Sequence, residues 1–293
     1  MQTLGDVMPR TESNSPPFAN ESTWYALVRL MRPRQWIKNV FVFAPLVFAG
    51  RFVDMSSLVM VGLTFLLFCM ASSAAYIIND WRDMDSDRRH PHKCRTRPLA
   101  AGHVTPRQAF VLLGGLYGLM AVLLWYMPTV LLPVGAYLLL NLAYSFYLKH
   151  QPVLDIFSIA AGFVLRVVAG AAVLQVPLSS WMLVTTLALA LYLASIKRRQ
   201  ELAGSGEAAR QVLQRYSVAL VDRYAEMSAT GAIVFYSLFV MDSRPELIAT
   251  IPLVLFGLFR YWYVVDAKDQ GESPTDALLG DGFLMATVCL WIA

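Results

Sequence analysis

Apolar residues along this chain gather in long runs separated by short charged or turn-rich stretches. The runs fall near 37–50, 56–78, 108–126, 128–148, 153–174, 179–196, 227–241, 245–265 and 277–293. A helix needs about 17–25 residues to cross a bilayer. The pattern therefore predicts an all-α polytopic membrane protein with nine transmembrane helices, the first of them short and either tilted or beginning earlier. Ahead of it, Glu21 to Asn39 mixes Trp24, Leu27, Leu30, Met31 and Trp36 with Arg29, Arg32, Arg34 and Lys38. That mixture predicts a helix lying in the membrane interface. Residues 1–20 are polar, include Pro16 and Pro17, and contain no apolar core of a signal peptide. They are expected to form a disordered cytoplasmic tail ahead of one transmembrane domain, 21–293.

Composition supports the membrane reading. Hydrophobic residues make up 57% of the chain and charged residues 15%, against about 25% charge in a soluble domain. Mean hydropathy is +0.52. The net charge of +4 favours lipid head groups or anionic substrates as partners, and no basic–aromatic pattern points to nucleic acid. Cys69, Cys94 and Cys289 fit neither a metal knuckle nor a disulfide framework. Nine spans would place 20 of the 24 Lys and Arg on the side that carries the N-terminal segment and loops 79–107, 149–152, 197–226 and 266–276. Arg51 and Arg244 fall on the other side, and Arg166 and Arg260 within spans. The positive-inside bias makes the crowded side cytoplasmic, in a multi-pass protein of the cytoplasmic (inner) membrane. A homo-oligomer is allowed but not indicated.

The charge is densest in "YIINDWRDMDSDRRHPHKCRTRP", Tyr76 to Pro98, directly after an apolar run. Asn79, Asp80, Asp83 and Asp87 form N-D-x-x-D-x-x-x-D. On one continuous helix, Asp80, Asp83 and Asp87 would lie within about 60°, Asn79 would widen the arc to about 100°, and Asp85 would point away. Such a stripe of hard oxygen donors suits Mg²⁺, which binds through one or two carboxylates, water and substrate phosphates. Lys93, Arg95 and Arg97 follow and could hold phosphate. The plainer alternative is a solvated helix end whose carboxylates are answered by Arg82, Arg88 and Arg89.

These motifs resemble a known group. N-D-x-x-D-x-x-x-D after the second span, followed by H-P-x-K and R-P, resembles the UbiA-type superfamily of intramembrane prenyltransferases. The segments "RPRQWIKNVFVFAPLVFAG", "RPLAAG", "LKHQPVLDIFSIAAGFVLRVVAGAAV", "PLSSWMLVTTLALALYLASIKRRQEL" and "PTDALLGD" are similar, more narrowly, to decaprenyl-phosphate phosphoribosyltransferases, over about Arg32 to Asp281. Two departures stand out. The basic stretch K-C-R-T-R-P is one residue longer than that group's usual form. The place where prenyltransferases carry a second Asp-rich motif reads "KRRQE", Lys197 to Glu201, with Asp222 and Glu226 farther on.

The resemblance implies transfer of 5-phosphoribose from phosphoribosyl diphosphate to a polyprenyl phosphate, for synthesis of cell-envelope glycan precursors. Asp80, Asp83 and Asp87, assisted by Asn79, would be the catalytic, Mg²⁺-holding set. Arg34 and Lys38 would contact phosphate, although head-group snorkelling also explains them. Lys149, Asp155 and Arg166 are further substrate-binding candidates. Lys149 also fits an interfacial anchor, and Arg166 a structural role inside the bundle. Lys197, Arg198 and Glu201 would grip phosphate and ribose, or Lys197 and Glu201 would simply pair at i, i+4. Tyr216, His90 and Arg260 are weaker candidates. Tyr144, Tyr147, Tyr261 and Tyr263 would form an aromatic belt or line a lipid path. Two other functions compete: a prenyltransferase moving a polyprenyl chain from its diphosphate to an aromatic acceptor, and a transporter or lipid-binding protein.

Overall fold

A computed structural model describes residues 22–90, 93–204, 212–267, 277 and 280–292. The tail expected at 1–20 lies outside these residues. Among the described residues all regular structure is helical. The helices are α1 (Thr23–Met31), α2 (Ala44–Phe48), α3 (Met55–Arg82), α4 (Met84–Arg89), α5 (Lys93–Thr96), α6 (Pro106–Tyr126), α7 (Leu131–Phe146), α8 (Leu154–Leu174), α9 (Ser180–Gly204), α10 (Val218–Ser243), α11 (Ile251–Ala267) and α12 (Gly282–Ile292).

Local chemistry sets the ends of these helices. Asp54 caps α3 by accepting from the backbone N–H groups of Ser56 and Ser57 at 3.2 Å. Thr105 and Gln108 cap α6 reciprocally, with Pro106 in its first turn. Ser217 accepts from the N–H of Leu220 to start α10. Gln175 ends α8 in the left-handed region, at φ 52°.

Seven helices are long and apolar enough to cross a membrane: α3, α6, α7, α8, α9, α10 and α11, two of them with a preceding tight turn. The protein is therefore a multi-pass membrane protein. The other two apolar runs take a different form. The first is an eleven-residue 3-10 segment, Pro33–Phe43, continued by the short α2. The last is the eleven-residue α12. The interfacial helix expected over Glu21 to Asn39 is shorter than that stretch. It stops at Arg32, where Pro33 disfavours a continuing α conformation and Arg32 adopts φ 55°, ψ 60°.

Consecutive spans pack as neighbours: α7 on α8, α8 on α9, α9 on α10, with α3 against α6, α7 and α8. The 3-10 segment lies on α3 and α8. Gly170 makes this approach close, because a Cβ there would stand 2.1 Å from the carbonyl oxygen of Val42. Phe48 joins the start of the chain to its end, with ring contacts to Phe239 at 4.9 Å and Trp291 at 5.7 Å. Alternation of the spans brings the C-terminal ends of α3, α7, α9 and α11 to the same side as the N-terminal ends of α8 and α10. Asp80, Lys149, Asp155 and Arg198 all gather there.

Candidate active site

The acidic motif does not continue as one helix. α3 ends at Asp83, whose backbone turns to φ −92°, ψ 2°, and α4 begins at Met84. Aspartate is a poor residue for a helix interior and a good one for helix ends, and the side chain of Asp83 is held from outside the helix. The single stripe is thus corrected: Asp87 belongs to a second, re-aimed helix. Asp85 does point away and is exposed.

The break lets the carboxylates converge in pairs on cationic nitrogens. Nη1 of Arg97 donates to Oδ1 of Asp80 at 2.9 Å and to Oδ2 of Asp87 at 2.5 Å. Nζ of Lys149 donates to both oxygens of Asp83, at 2.7 and 2.9 Å, and to Oδ1 of Asn79 at 3.2 Å. Arg32 adds a bond to Oδ1 of Asp80 at 2.6 Å and lies over the ring of Tyr76, 4.9 Å from its centre. Lys93 stands 4.0 Å from Asp87. Asp80, Asp87 and Lys149 are buried, Arg97 nearly so. Burial pushes the Asp87 carboxyl above its ordinary range, against the opposing pull of Arg97 and Lys93. Burial works most strongly against the charge of Arg32, but Asp80, Tyr76 and Asp87 together hold the guanidinium pKa above its usual value.

A second group sits where α7, α8 and α9 meet. Asp155 is fully buried. Its Oδ2 accepts from Nε of Arg198 at 2.6 Å, and its Oδ1 from the hydroxyl of Tyr216 at 2.7 Å. Arg198 also pairs with Glu201 and donates to the hydroxyl of Tyr144 at 3.2 Å. Tyr216 accepts from the backbone N–H of Val153 at 2.6 Å. Val153 has φ 69°, ψ −48°, with the N–H of Leu154 bonded to the carbonyl of Pro152. This is a γ-turn of the rare, strained hand, in a β-branched residue. Burial, reinforced by Asp155, raises the Tyr216 pKa, so its hydroxyl keeps its proton and donates.

Arg166 is buried inside the bundle. It bonds Oδ1 of Asn39 at 2.8 Å, the carbonyl of Gly162 at 2.7 Å and the hydroxyl of Tyr137 at 3.0 Å, between the rings of Tyr137, Phe163 and Phe68. It thereby fastens the 3-10 segment to α7 and α8. Lys197 lies 3.8 Å from Glu201. Arg34 and Arg95 are exposed, Lys38 is half-buried, and Arg260 pairs with Asp281 at 2.8 Å. Tyr147 and Tyr263 are exposed as an aromatic belt requires, but Tyr261 is buried and Tyr144 turns inward to Arg198.

The sequence pattern placed Arg32 in the interfacial segment and Tyr144 in a belt or lipid path, not beside Asp80 and Arg198. For Arg32 the available signal was the Arg-Pro junction, which stops the helix and re-aims the side chain. Among the described residues no group of three or more His, Cys, Asp or Glu is arranged to hold a metal ion. Each acid here has a basic partner instead.

The family model described as the UbiA prenyltransferase family matches residues 40–285. The chain is 36% identical, over 290 residues, to the decaprenyl-phosphate phosphoribosyltransferase of Mycolicibacterium smegmatis, covering 91% of this chain and 90% of that one. It is 34% identical over 280 residues to the enzyme of that name from Mycobacterium tuberculosis, covering 91% and 92%. A solved structure of a UbiA homolog from Archaeoglobus fulgidus bound to GPP and Mg²⁺ superposes with a TM-score of 0.73. It has 18% identity and covers 91% of this chain and 96% of that one.

Proposed function

We propose, for a chain that belongs to the UbiA prenyltransferase family, the Mg²⁺-dependent transfer of 5-phosphoribose from phosphoribosyl diphosphate to a polyprenyl phosphate of decaprenyl type. Diphosphate is released, the site faces the cytoplasm across the inner membrane, and the product feeds synthesis of a cell-envelope glycan. The relatives' shared name supports the reaction. The observation that carries it at the site is that Lys197, Arg198 and Glu201 stand where a second acidic motif would, with Lys197 partly exposed and Arg198 buried against Asp155, Tyr144 and Glu201. A donor bearing a 5-phosphate as well as a diphosphate is better met by cations than by a second carboxylate cluster.

The donor types present are those a hard cation takes, although Arg97 and Lys149 hold their oxygens in this arrangement. Asp80 and Asp87 share one point, Asn79 and Asp83 another, and all four offer oxygen donors. When bound, Mg²⁺ supplies charge neutralisation to the departing diphosphate. The chain's own residues do the remainder. Arg97, Lys149, Lys93 and Arg32 line the same mouth and orient diphosphate oxygens, while Lys197 and the more exposed Arg34, Lys38 and Arg95 reach the outer phosphates and Glu201 accepts from a ribose hydroxyl. A phosphate oxygen of the lipid attacks the anomeric carbon, the bond from that carbon to diphosphate breaks, and diphosphate leaves with the electron pair. The acceptor is already an anion, so no protein base has to remove a proton. Positive charge developing on the ribose is stabilised by nearby carboxylates. Asp155, Tyr216 and Tyr144 hold Arg198, and with it Glu201, in register.

The test is a transfer assay with purified protein, Mg²⁺, radiolabelled phosphoribosyl diphosphate and a panel of polyprenyl phosphates. Label should enter the lipid fraction only with the metal and a lipid phosphate present. Turnover of a prenyl diphosphate onto an aromatic acceptor, with no ribosyl transfer, overturns the proposal.

A further inference from the structure

At two points of the mouth a side-chain nitrogen occupies the spot where oxygen ligands converge. Nη1 of Arg97 lies between Asp80 and Asp87, and Nζ of Lys149 lies between Asn79 and Asp83. These four residues are the oxygen donors just assigned to the metal. A cation cannot occupy either of those spots while the nitrogen stays there.

Charge makes the same point. Three carboxylates (Asp80, Asp83, Asp87) are faced by four cations (Arg32, Lys93, Arg97, Lys149). A divalent ion arriving alone adds positive charge to a group that is already compensated. A diphosphate arriving alone adds negative charge beside three carboxylates. Arriving together, the two nearly cancel, and each displaced side chain gains a phosphate oxygen in place of the carboxylate it surrenders.

We propose that Arg97 and Lys149 are exchangeable counter-ions. They hold the metal-binding carboxylates in position and pass to the diphosphate when a divalent cation takes the oxygens, so that metal and diphosphate bind as one unit. The proposal rests on the metal–diphosphate reading above, but not on the identity of the sugar or the lipid. Arg97 keeps 16% of its side chain exposed and Asp83 28%, so both open on the mouth, and the buried ammonium of Lys149 reaches that mouth through Asp83. Arg32, with the second claim on Asp80, keeps that carboxylate paired when Arg97 leaves.

The signature is a pair of effects of opposite sign in one variant. Arg97→Gln should bind Mn²⁺ alone about tenfold more tightly than the parent protein, since an adjacent cation has been removed. The same variant should retain radiolabelled inorganic diphosphate less well, by a similar factor, at saturating Mg²⁺. Lys149→Gln should repeat both effects independently and serves if Arg97→Gln does not fold. Both quantities are measured on the full-length protein in detergent: Mn²⁺ by electron paramagnetic resonance, diphosphate by equilibrium retention. A salt bridge that is only structural would weaken both. A cation that touches phosphate but leaves the metal oxygens alone would weaken diphosphate retention and leave Mn²⁺ unchanged. Either result overturns the exchange. If the opposite signs appear but no ribosyl transfer occurs, the exchange stands and the donor assignment falls.

Discussion

Asp83 and Asp85 are two residues apart and differ in almost every physical respect. Asp83 is gripped by Lys149 at 2.7 Å, whereas the Asp85 side chain is 84% exposed, 3.6 Å from Arg88. Asp83→Ala, and likewise Asp80→Ala, should lower transfer by at least about 100-fold, the scale expected when a transition-state charge partner is removed. Asp85→Ala should change stability by no more than about 0.5 kcal/mol and leave transfer near the parent rate. Equal losses at Asp83 and Asp85 in the transfer assay would remove the geometric basis of the site. Residue type marked all four aspartates, and only their helical spacing singled out Asp80, Asp83 and Asp87 and set Asp85 aside. The partners were not legible. Arg34 and Arg32 look equivalent in a basic, aromatic segment, and only the left-handed turn before Pro33 decides that Arg32 reaches Asp80. Gly170 was equally silent, one small residue in a run of them. Gly170→Ala puts a methyl 2.1 Å from the Val42 carbonyl oxygen, an overpacking that should cost about 1–3 kcal/mol. A thermal melt in detergent that stays put would show that the 3-10 segment yields more easily than its contacts with α3 and α8 indicate.

The elements divide into those whose hydrophobic period decided them and those decided by a local break. The apolar runs from 56 to 265 fall on the seven long helices, to within a residue or two at their ends, because twenty or so apolar residues have few other options in a bilayer. The first and last runs escaped the pattern. Pro33 and Pro45 interrupt the helical ladder near the start of the chain, and α12 is only eleven residues long. Apolar periodicity also carries no information about where a polar helix end will snap, which is why the break at Asp83 was read as a continuous stripe. The junction between α7 and α8 is such a break too. There Tyr216, arriving from the α9–α10 connection, closes a strained turn at Val153 and pairs with Asp155. Tyr216→Phe leaves a buried carboxylate oxygen and a backbone N–H without their partner, a loss of about 1–3 kcal/mol. Because Asp155 also orients Arg198, transfer by Tyr216→Phe should fall even at temperatures where the variant remains folded. Full activity in a folded Tyr216→Phe protein would confine the hydroxyl to stability alone.

For the molecule as a whole, the uneven spread of Lys and Arg is the sequence's argument for an orientation, and the fold accounts for the gathering of charge at one end. α3 has 28 residues, about 42 Å at 1.5 Å per residue, more than the roughly 30 Å hydrocarbon core. Its two ends must therefore open on opposite sides. Asp54 and the exposed Val53 stand at one end, and Arg89, beyond Asp83 and Asp87, stands past the other. A soluble phosphosugar donor is available only on the cytoplasmic side, so the charged end has to face inward for the proposed reaction to run. In a chain with Cys94 and Cys289 changed to Ser, and buried Cys69 retained, single cysteines at Arg89 and Val53 give opposite expectations. A membrane-impermeant maleimide applied to intact cells should label Val53→Cys and spare Arg89→Cys. Applied to inverted membrane vesicles, it should label Arg89→Cys and spare Val53→Cys. The reverse pattern would place the carboxylates outside, away from any cytoplasmic donor, and the proposed reaction would fall with the topology. Labelling of both positions from one side would mean that α3 does not span the bilayer at all.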